Sequence, residues 1–341
     1  MVRQDADWTL LKGYAHSAKA DASARYAKFK LCLQQAAGGA DFDDLKLGVV
    51  ETLPAAEAFH RQEVAAARKA WPAQPAKWQT NSTALALILE REDKLGEAEQ
   101  LLNEQLTSST AKEPQSTSML LILGNVLARQ GRWKEAAADF GQIIQWQPTN
   151  HLLYHRIAPL LAVSGDIESY RSRCREMLAR FDLTTNWTAA HVIGKACLLL
   201  PDTGIDLAVA NRLAAQQRER DLNSRGFGWS QFTIGLNEYR QGRYQRAVEP
   251  LEKALTKSGE AFYRDADACA VLAMARARLG QSVEAAAMLA KATEIEQTRM
   301  PKLEDRDLGP AWIDCITTHL LIREAKNVVN VAATNSAAAS H

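Results

Sequence analysis

Apolar residues recur along this chain at steps of three and four, and β-type alternation is nearly absent. Steps of three and four gather side chains on one face of an α-helix, whereas a half-buried strand alternates every second residue. The clearest stretch is Thr117 to Asn150. Leu120, Leu123, Gly124 and Leu127 share one face of a helix predicted over about Ser118 to Gln130. Gly131 ends it, because glycine enters the left-handed backbone region of a helix C-cap without steric cost. A second helix is predicted over Trp133 to Trp146, burying Trp133, Ala136, Ala137, Phe140, Ile143 and Ile144, with Pro148 beyond its end. Gly124 and Ala136 are small where the two helices must approach closely. One such hairpin cannot bury its apolar face alone, which predicts further copies stacked against it.

Copies occur on both sides. Leu85, Ala86, Leu89, Leu95, Ala98 and Leu102 mark a unit beginning near Gln79, with Asp93 in place of the capping glycine. A Thr/Ser-rich loop over Thr107 to Ser118 separates it from the clearest unit. Tyr154, Ile157, Ala158 and Leu161, capped by Gly165, open a unit over about His151 to Thr184. Pro159 is expected to kink that first helix, since it removes a donor and clashes with the preceding turn. Tyr170 stands where the other units carry alanine, so looser packing is expected there. A weak unit follows over about Trp187 to Leu222, with Ile193, Gly194 and Cys197, an enlarged turn from Pro201 to Asp206, then Leu207, Ala210 and Leu213. Asn223 to Gly228 is expected to be a loop. Two further units carry Ile234, Gly235, Tyr239, Gly242, Tyr244, Ala247, Leu251 and Ala254, then Leu272, Ala273, Gly280, Ala285, Leu289 and Ala292. Ala136 lies 38 residues after Ala98, and Ala285 lies 38 after Ala247. A last helix over about Pro310 to Val328 is expected to cap the exposed end, and the tail 331–341 to be disordered.

The hairpins resemble tetratricopeptide repeats (TPR), matching most signature positions of a unit of about 34 residues. The resemblance covers roughly residues 54 to 299 and is strongest in the units holding Gly131 and Gly242. Upstream, Trp8, Leu11, Ala15, Ala18, Ala22, Tyr26, Phe29 and Leu33 form a helical seam that Gly38-Gly39 breaks. Phe42 to Trp71 contains a second helical unit interrupted by Pro54. Ala56-Glu57 stands 42 residues before Ala98-Glu99, and with Trp71-Pro72 this resembles the longer repeat of kinesin light chains and many bacterial TPR proteins. The phrase SGDIESYRSRCREMLARF, followed by KACLLLP, resembles the repeat region downstream of kinase domains in large planctomycete-type bacterial Ser/Thr kinases.

These resemblances imply an all-α, right-handed solenoid of about six to seven helix pairs. Residues 1–75 would be atypical or degenerate repeats, 76–300 the array, 301–330 a capping helix and 331–341 a tail. They further imply a non-catalytic scaffold that binds a protein or extended peptide on its concave face. The alternative is a regulatory or substrate-docking region of a bacterial Ser/Thr kinase signalling system.

Composition narrows this picture without changing it. The 341 residues are 47% apolar and 24% charged, which suits a folded chain. A formal net charge of +1 gives no electrostatic case for nucleic acid or an anionic membrane as partner. The five cysteines include no CxxC pair, which fits reduced thiols in a cytoplasmic protein. MVRQDADW has no apolar leader core, and no run of about 18 apolar residues is present, so neither a secretory signal nor a membrane span is expected.

Candidate chemistry is sparse. The chain has no kinase Gly-rich loop, HRD or DFG motif, and no phosphate-binding GxxxxGK[ST] loop. No residue set supplies nucleophile, base and oxyanion roles, so neither an enzyme nor a cofactor is expected. His151 and His155 are four apart, on one helical face, but two ligands fall short of a zinc site and no metal is expected. Arg171, Arg173, Arg175 and Arg180 are interleaved with Asp166, Glu168, Glu176 and Asp182, as on a solvated helix face.

A ladder of arginines is more informative. Arg91, Arg129, Arg240 and Arg278 each stand two residues before a capping position, in four of six units. Two readings stand side by side. Cations near a helix C-terminus complement its dipole by about 0.3–1 kcal/mol each. Alternatively, the guanidiniums line a groove for an acidic peptide. The repeat register also turns Leu87, Leu121, Asn125, Leu152, His155, Trp229, Phe232, Leu236 and Tyr239 inward. Asn125 occupies the place of the asparagine in carboxylate-clamp TPR domains, but Leu121 replaces the matching lysine, so that clamp is incomplete. Trp229, Phe232 and Tyr239 form either an aromatic binding patch or packing against the preceding unit. The candidate protein-binding set is therefore Arg91, Asn125, Arg129, His155, Trp229, Phe232, Tyr239, Arg240 and Arg278.

Overall fold

A computed structural model of the chain describes residues 79–108, 115–201, 204–215, 226–257 and 261–339. The expectations for the N-terminal helices up to residue 75 lie outside these residues. Among the described residues there are thirteen α-helices and no strand. None of these helices is long and apolar enough to cross a membrane.

Twelve of the helices form six consecutive hairpins: α1 (Gln79–Arg91) with α2 (Leu95–Ser108), α3 (Gln115–Arg129) with α4 (Trp133–Trp146), α5 (His151–Val163) with α6 (Ile167–Phe181), α7 (Trp187–Cys197) with α8 (Leu207–Ala215), α9 (Phe227–Arg240) with α10 (Tyr244–Ala254), and α11 (Phe262–Arg278) with α12 (Ser282–Arg299). A thirteenth helix, α13, spans Trp312–Ala339.

Five of the six hairpins, all but α7–α8, turn by one repeated device. Gly131, Gly165, Gly242 and Gly280 all have φ between +72° and +77°, and Asp93 adopts φ +59° in their place. The amide after each returns to a carbonyl in the last helical turn, as in Arg132 N to Leu127 O at 2.9 Å and Arg243 N to Glu238 O at 3.0 Å. These bonds satisfy carbonyls that a helix end otherwise leaves without partners.

Each hairpin packs its second helix against the first helix of the next. First helices also touch one another, α1 on α3, α5 on α7, α7 on α9 and α9 on α11, whereas second helices make no extensive contact with each other. Helices set closer on one side curve the array toward that side, so the first helices line its inner face. The result is an all-α helical-hairpin solenoid with one continuous apolar core. Between α3 and α4 the close approach requires glycine, since a Cβ on Gly124 would lie 2.8 Å from the Phe140 ring.

α5 runs through Pro159, which is buried inside it. Two local expectations are corrected. Tyr170 does not loosen its unit. It is fully buried, its hydroxyl donates to Ala196 O at 2.7 Å and accepts from Leu200 N at 3.3 Å, and so it ties α6 to the enlarged turn after α7. α13 continues to Ala339, through the stretch expected to be a disordered tail. That stretch is rich in alanine, the strongest helix former.

Candidate functional site

The candidate site is the inner face of the first helices, and a segment of the same chain lies on it. After α12, the chain crosses a connector over 300–311 and enters α13. α13 packs against α11 and α12, as a capping helix would, but it also reaches back to α5. Its side chains and those of the connector then engage α3, α7 and α9, which lie well before the end of the array.

Arg129, the last residue of α3, is the first anchor. Its side chain is essentially buried. Nε donates to Asp307 Oδ1 at 2.8 Å and Nη2 to Asp307 Oδ2 at 2.6 Å, a two-pronged pair. Nη1 donates to Glu90 O at 2.8 Å, and Nη2 also pairs with Asp93. The Arg129 carbonyl accepts Leu308 N at 2.9 Å, so backbone and side chain grip the same short turn. Within that turn Asp307 Oδ1 accepts Gly309 N at 2.7 Å. Burial would raise the Asp307 carboxyl, but the hydrogen bonds from Arg129 and the Gly309 amide, with the arginine's charge, hold it below the ordinary carboxylate range.

Trp312 follows the turn. It is buried and stacks on Phe140 of α4, with ring centroids 6.1 Å apart and planes within 12°. α3 and α5 are the consecutive first helices that make no extensive contact with each other, whereas the turn meets α3 at Arg129 and Trp312 meets α4 at Phe140.

Lys195 of α7 is the second anchor. It donates to Asp314 Oδ1 at 2.9 Å, and its ammonium lies 4.9 Å from the centre of the Trp229 ring. Arg240, at the end of α9, is the third. It holds Glu324 through Nη1 at 2.5 Å and Nη2 at 2.7 Å, and donates to the carbonyls of Leu198 and Leu199 at 2.8 and 2.9 Å. Between these anchors Thr318 donates to Asp267 Oδ1 at 2.6 Å. Burial pushes the Asp267 carboxyl up to about 8, against the pull of the Lys195 charge and the Thr318 hydroxyl.

The structure treats the candidate residues unequally. Arg129 and Arg240 converge on the C-terminal segment, while Arg91 and Arg278 are exposed helix-end cations. The ladder is thus two anchors and two residues placed to complement a helix dipole. Asn125 is half-buried and accepts from Arg156 Nε at 3.4 Å. The His155 side chain buries Nδ1 without a partner among the described residues, and burial, with the charges of Lys195, Arg156 and His151, holds its pKa well below the usual value. His151 instead packs edge-on against Phe181, ring centroids 6.4 Å apart. No group of three His, Cys, Asp or Glu among the described residues is arranged to hold a metal.

The aromatic patch is corrected: Phe232 is fully buried core and Tyr239 is buried against Tyr244, leaving Trp229 half-buried beneath Lys195. Arg173, Arg175 and Arg180 pair with Glu168 and Glu176 along their own helix.

The missed residues are Lys195, Asp307, Trp312, Asp314 and Glu324. The carboxylates carried a legible signal, since Asp307, Asp314 and Glu324 accompany the last predicted helix, but no spacing rule joins residues about 80 to 180 positions apart to the arginines they meet.

No family model and no curated protein matches the chain. Among solved structures it is similar to a tetratricopeptide repeat protein from Parabacteroides merdae, at 14% identity and a TM-score of 0.48, over 77% of this chain and 93% of that one. It is also similar to the nearly identical TPR-like repeats of a putative kinesin light chain from Podosopora anserina, at 17% identity and a TM-score of 0.28, over 67% of this chain and 99% of that one.

Proposed function

We propose that this chain is a non-catalytic interaction scaffold that binds a segment of another protein on the inner face of its first helices. One observation carries the reading: that face already holds a segment belonging to no hairpin, the connector and α13, through Arg129, Lys195 and Arg240 and their carboxylate partners. A surface that seats one helix by paired charges and apolar contact has the features by which grooves seat helical segments of partners. Room for more remains toward α1 and α5, where Leu87 is 37% and Leu152 43% exposed.

The test is affinity capture by the full chain from its native extract, followed by cross-linking and mapping of the cross-linked residues. Cross-links from the partner should fall on the first helices, and Leu87→Glu/Leu152→Glu should lose the partner while keeping the wild-type circular dichroism and melting temperature. Cross-links confined to the second helices would overturn the reading.

A further inference from the structure

We infer that the turn Asp307-Leu308-Gly309 and the following Trp312 act as a built-in ligand of the Arg129 site, and that the partner segment offers the same chemistry, a carboxylate followed by an aromatic side chain, and must displace this turn to bind. The inference rests on the scaffold reading and names the partner's chemistry and the device that gates it.

The contacts at this point look like recognition of a ligand more than like packing of a repeat. Arg129 meets Asp307 with two parallel hydrogen bonds, at 2.8 and 2.6 Å, the planar match by which guanidinium selects carboxylate. The Arg129 carbonyl reads the backbone through Leu308 N. The Trp312 ring fills an aromatic slot on Phe140 five residues beyond the carboxylate. A carboxylate, a free amide and an aromatic ring are all groups that a segment of another protein can present.

The turn also keeps its own order. Asp307 accepts Gly309 N, Lys302 N donates to Asp305 Oδ2 at 2.7 Å, and Asp305 N returns to Lys302 O at 3.0 Å. Such a piece can leave as a unit. Opening it returns Asp307 and Arg129 to water, so the lost ion pair is largely offset by hydration of both charges. Glu90 O and Asp93 also hold the Arg129 guanidinium, through Nη1 and Nη2, so Arg129 keeps partners within the array when the turn leaves. Seven residues separate Arg299, at the end of α12, from Asp307. A tether that short holds the turn at an effective concentration of order millimolar, which weakens a free competitor by the corresponding factor.

The experiment uses the full chain and a fluorescent synthetic peptide of residues 303–319, read by anisotropy. The opened variant Asp307→Ala/Trp312→Ala removes the built-in ligand and leaves the receiving residues in place. It should bind the peptide at least about tenfold more tightly than wild type, given that tether. Adding Arg129→Ala to the opened variant should abolish the gain. Equal binding by wild type and opened variant would overturn the built-in competition while leaving the scaffold reading to its cross-linking test. No binding by an opened variant with wild-type circular dichroism would overturn the inferred ligand chemistry. Hydrogen exchange on the wild type guards against a variant that fails to fold. Amides of 303–312 should exchange faster than those of α9 and α11, and exchange as slow as in those helices would make the turn a fixed part of the fold.

Discussion

At the scale of single residues, burial and charge decide which polar groups belong to the site. Asp267 is fully buried, with one oxygen bonded to Thr318 and the other without a partner among the described residues. Its folded pKa, about 8, lies far above the unfolded value of about 3.9. The folded state therefore keeps a proton that the unfolded state releases, and stability declines as pH rises from about 4 toward 8. Asp267→Asn removes that penalty and can still accept from Thr318. Its melting temperature should exceed wild type clearly at pH 8 and little at pH 5, with a gain on the order of a few kcal/mol at the higher pH. Equal shifts at the two pH values would show that the carboxyl is not held neutral. Asp307 behaves oppositely. Its pKa is depressed, so its contribution is present above the unfolded value and is lost as pH falls through the folded one.

At the scale of elements, two glycines test the two reasons the hairpins need them. Gly242 turns α9 into α10 at φ +72°, with open space where a Cβ would sit. Gly242→Ala should destabilise by about 1–2 kcal/mol through backbone strain alone. Gly235 lies inside α9, where a Cβ would meet Leu251 Cγ at 2.5 Å. Gly235→Ala gains helix propensity of about 1 kcal/mol but should still destabilise, since overpacking typically costs about 1–3 kcal/mol. The discriminating measurement is a double-mutant cycle by urea unfolding. Gly235→Ala and Leu251→Ala should couple by at least about 0.5 kcal/mol, because the smaller side chain makes room for the new methyl. Gly242→Ala and Leu251→Ala should add.

At the scale of the whole array, α13 and its connector change how stability is shared. In a solenoid each hairpin contacts only its neighbours, and stability approximates a sum of local terms. Here one segment links α3, α5, α7, α9 and α11. That should couple hairpins that are otherwise independent. Breaking two anchors with Arg129→Ala/Arg240→Ala should broaden the urea transition and lower its m-value, as separate parts of the array unfold at different concentrations. A transition merely shifted, with m unchanged, would show that the segment does not carry the coupling.

Much of this architecture could be read directly from residue order. Steps of three and four named the helices, and the glycines, with Asp93 among them, named the turns. The boundaries of α4 matched the pattern because Gly131 and Pro148 punctuate it at both ends. Tyr170 was misread because propensity and register say nothing about a hydroxyl that reaches the backbone of the next unit. The site was half legible. Arg129 and Arg240 stood out by their place beside the caps, but Arg91 and Arg278 share that place and remain exposed.

Local order along the chain therefore determined the helices, their turns and the stacking of hairpins, because these depend on neighbours within about one repeat. Tertiary structure alone decided which cations meet a distant carboxylate. Their partners lie in a segment distant in sequence, brought onto the inner face only when the array curves and the chain folds back along it.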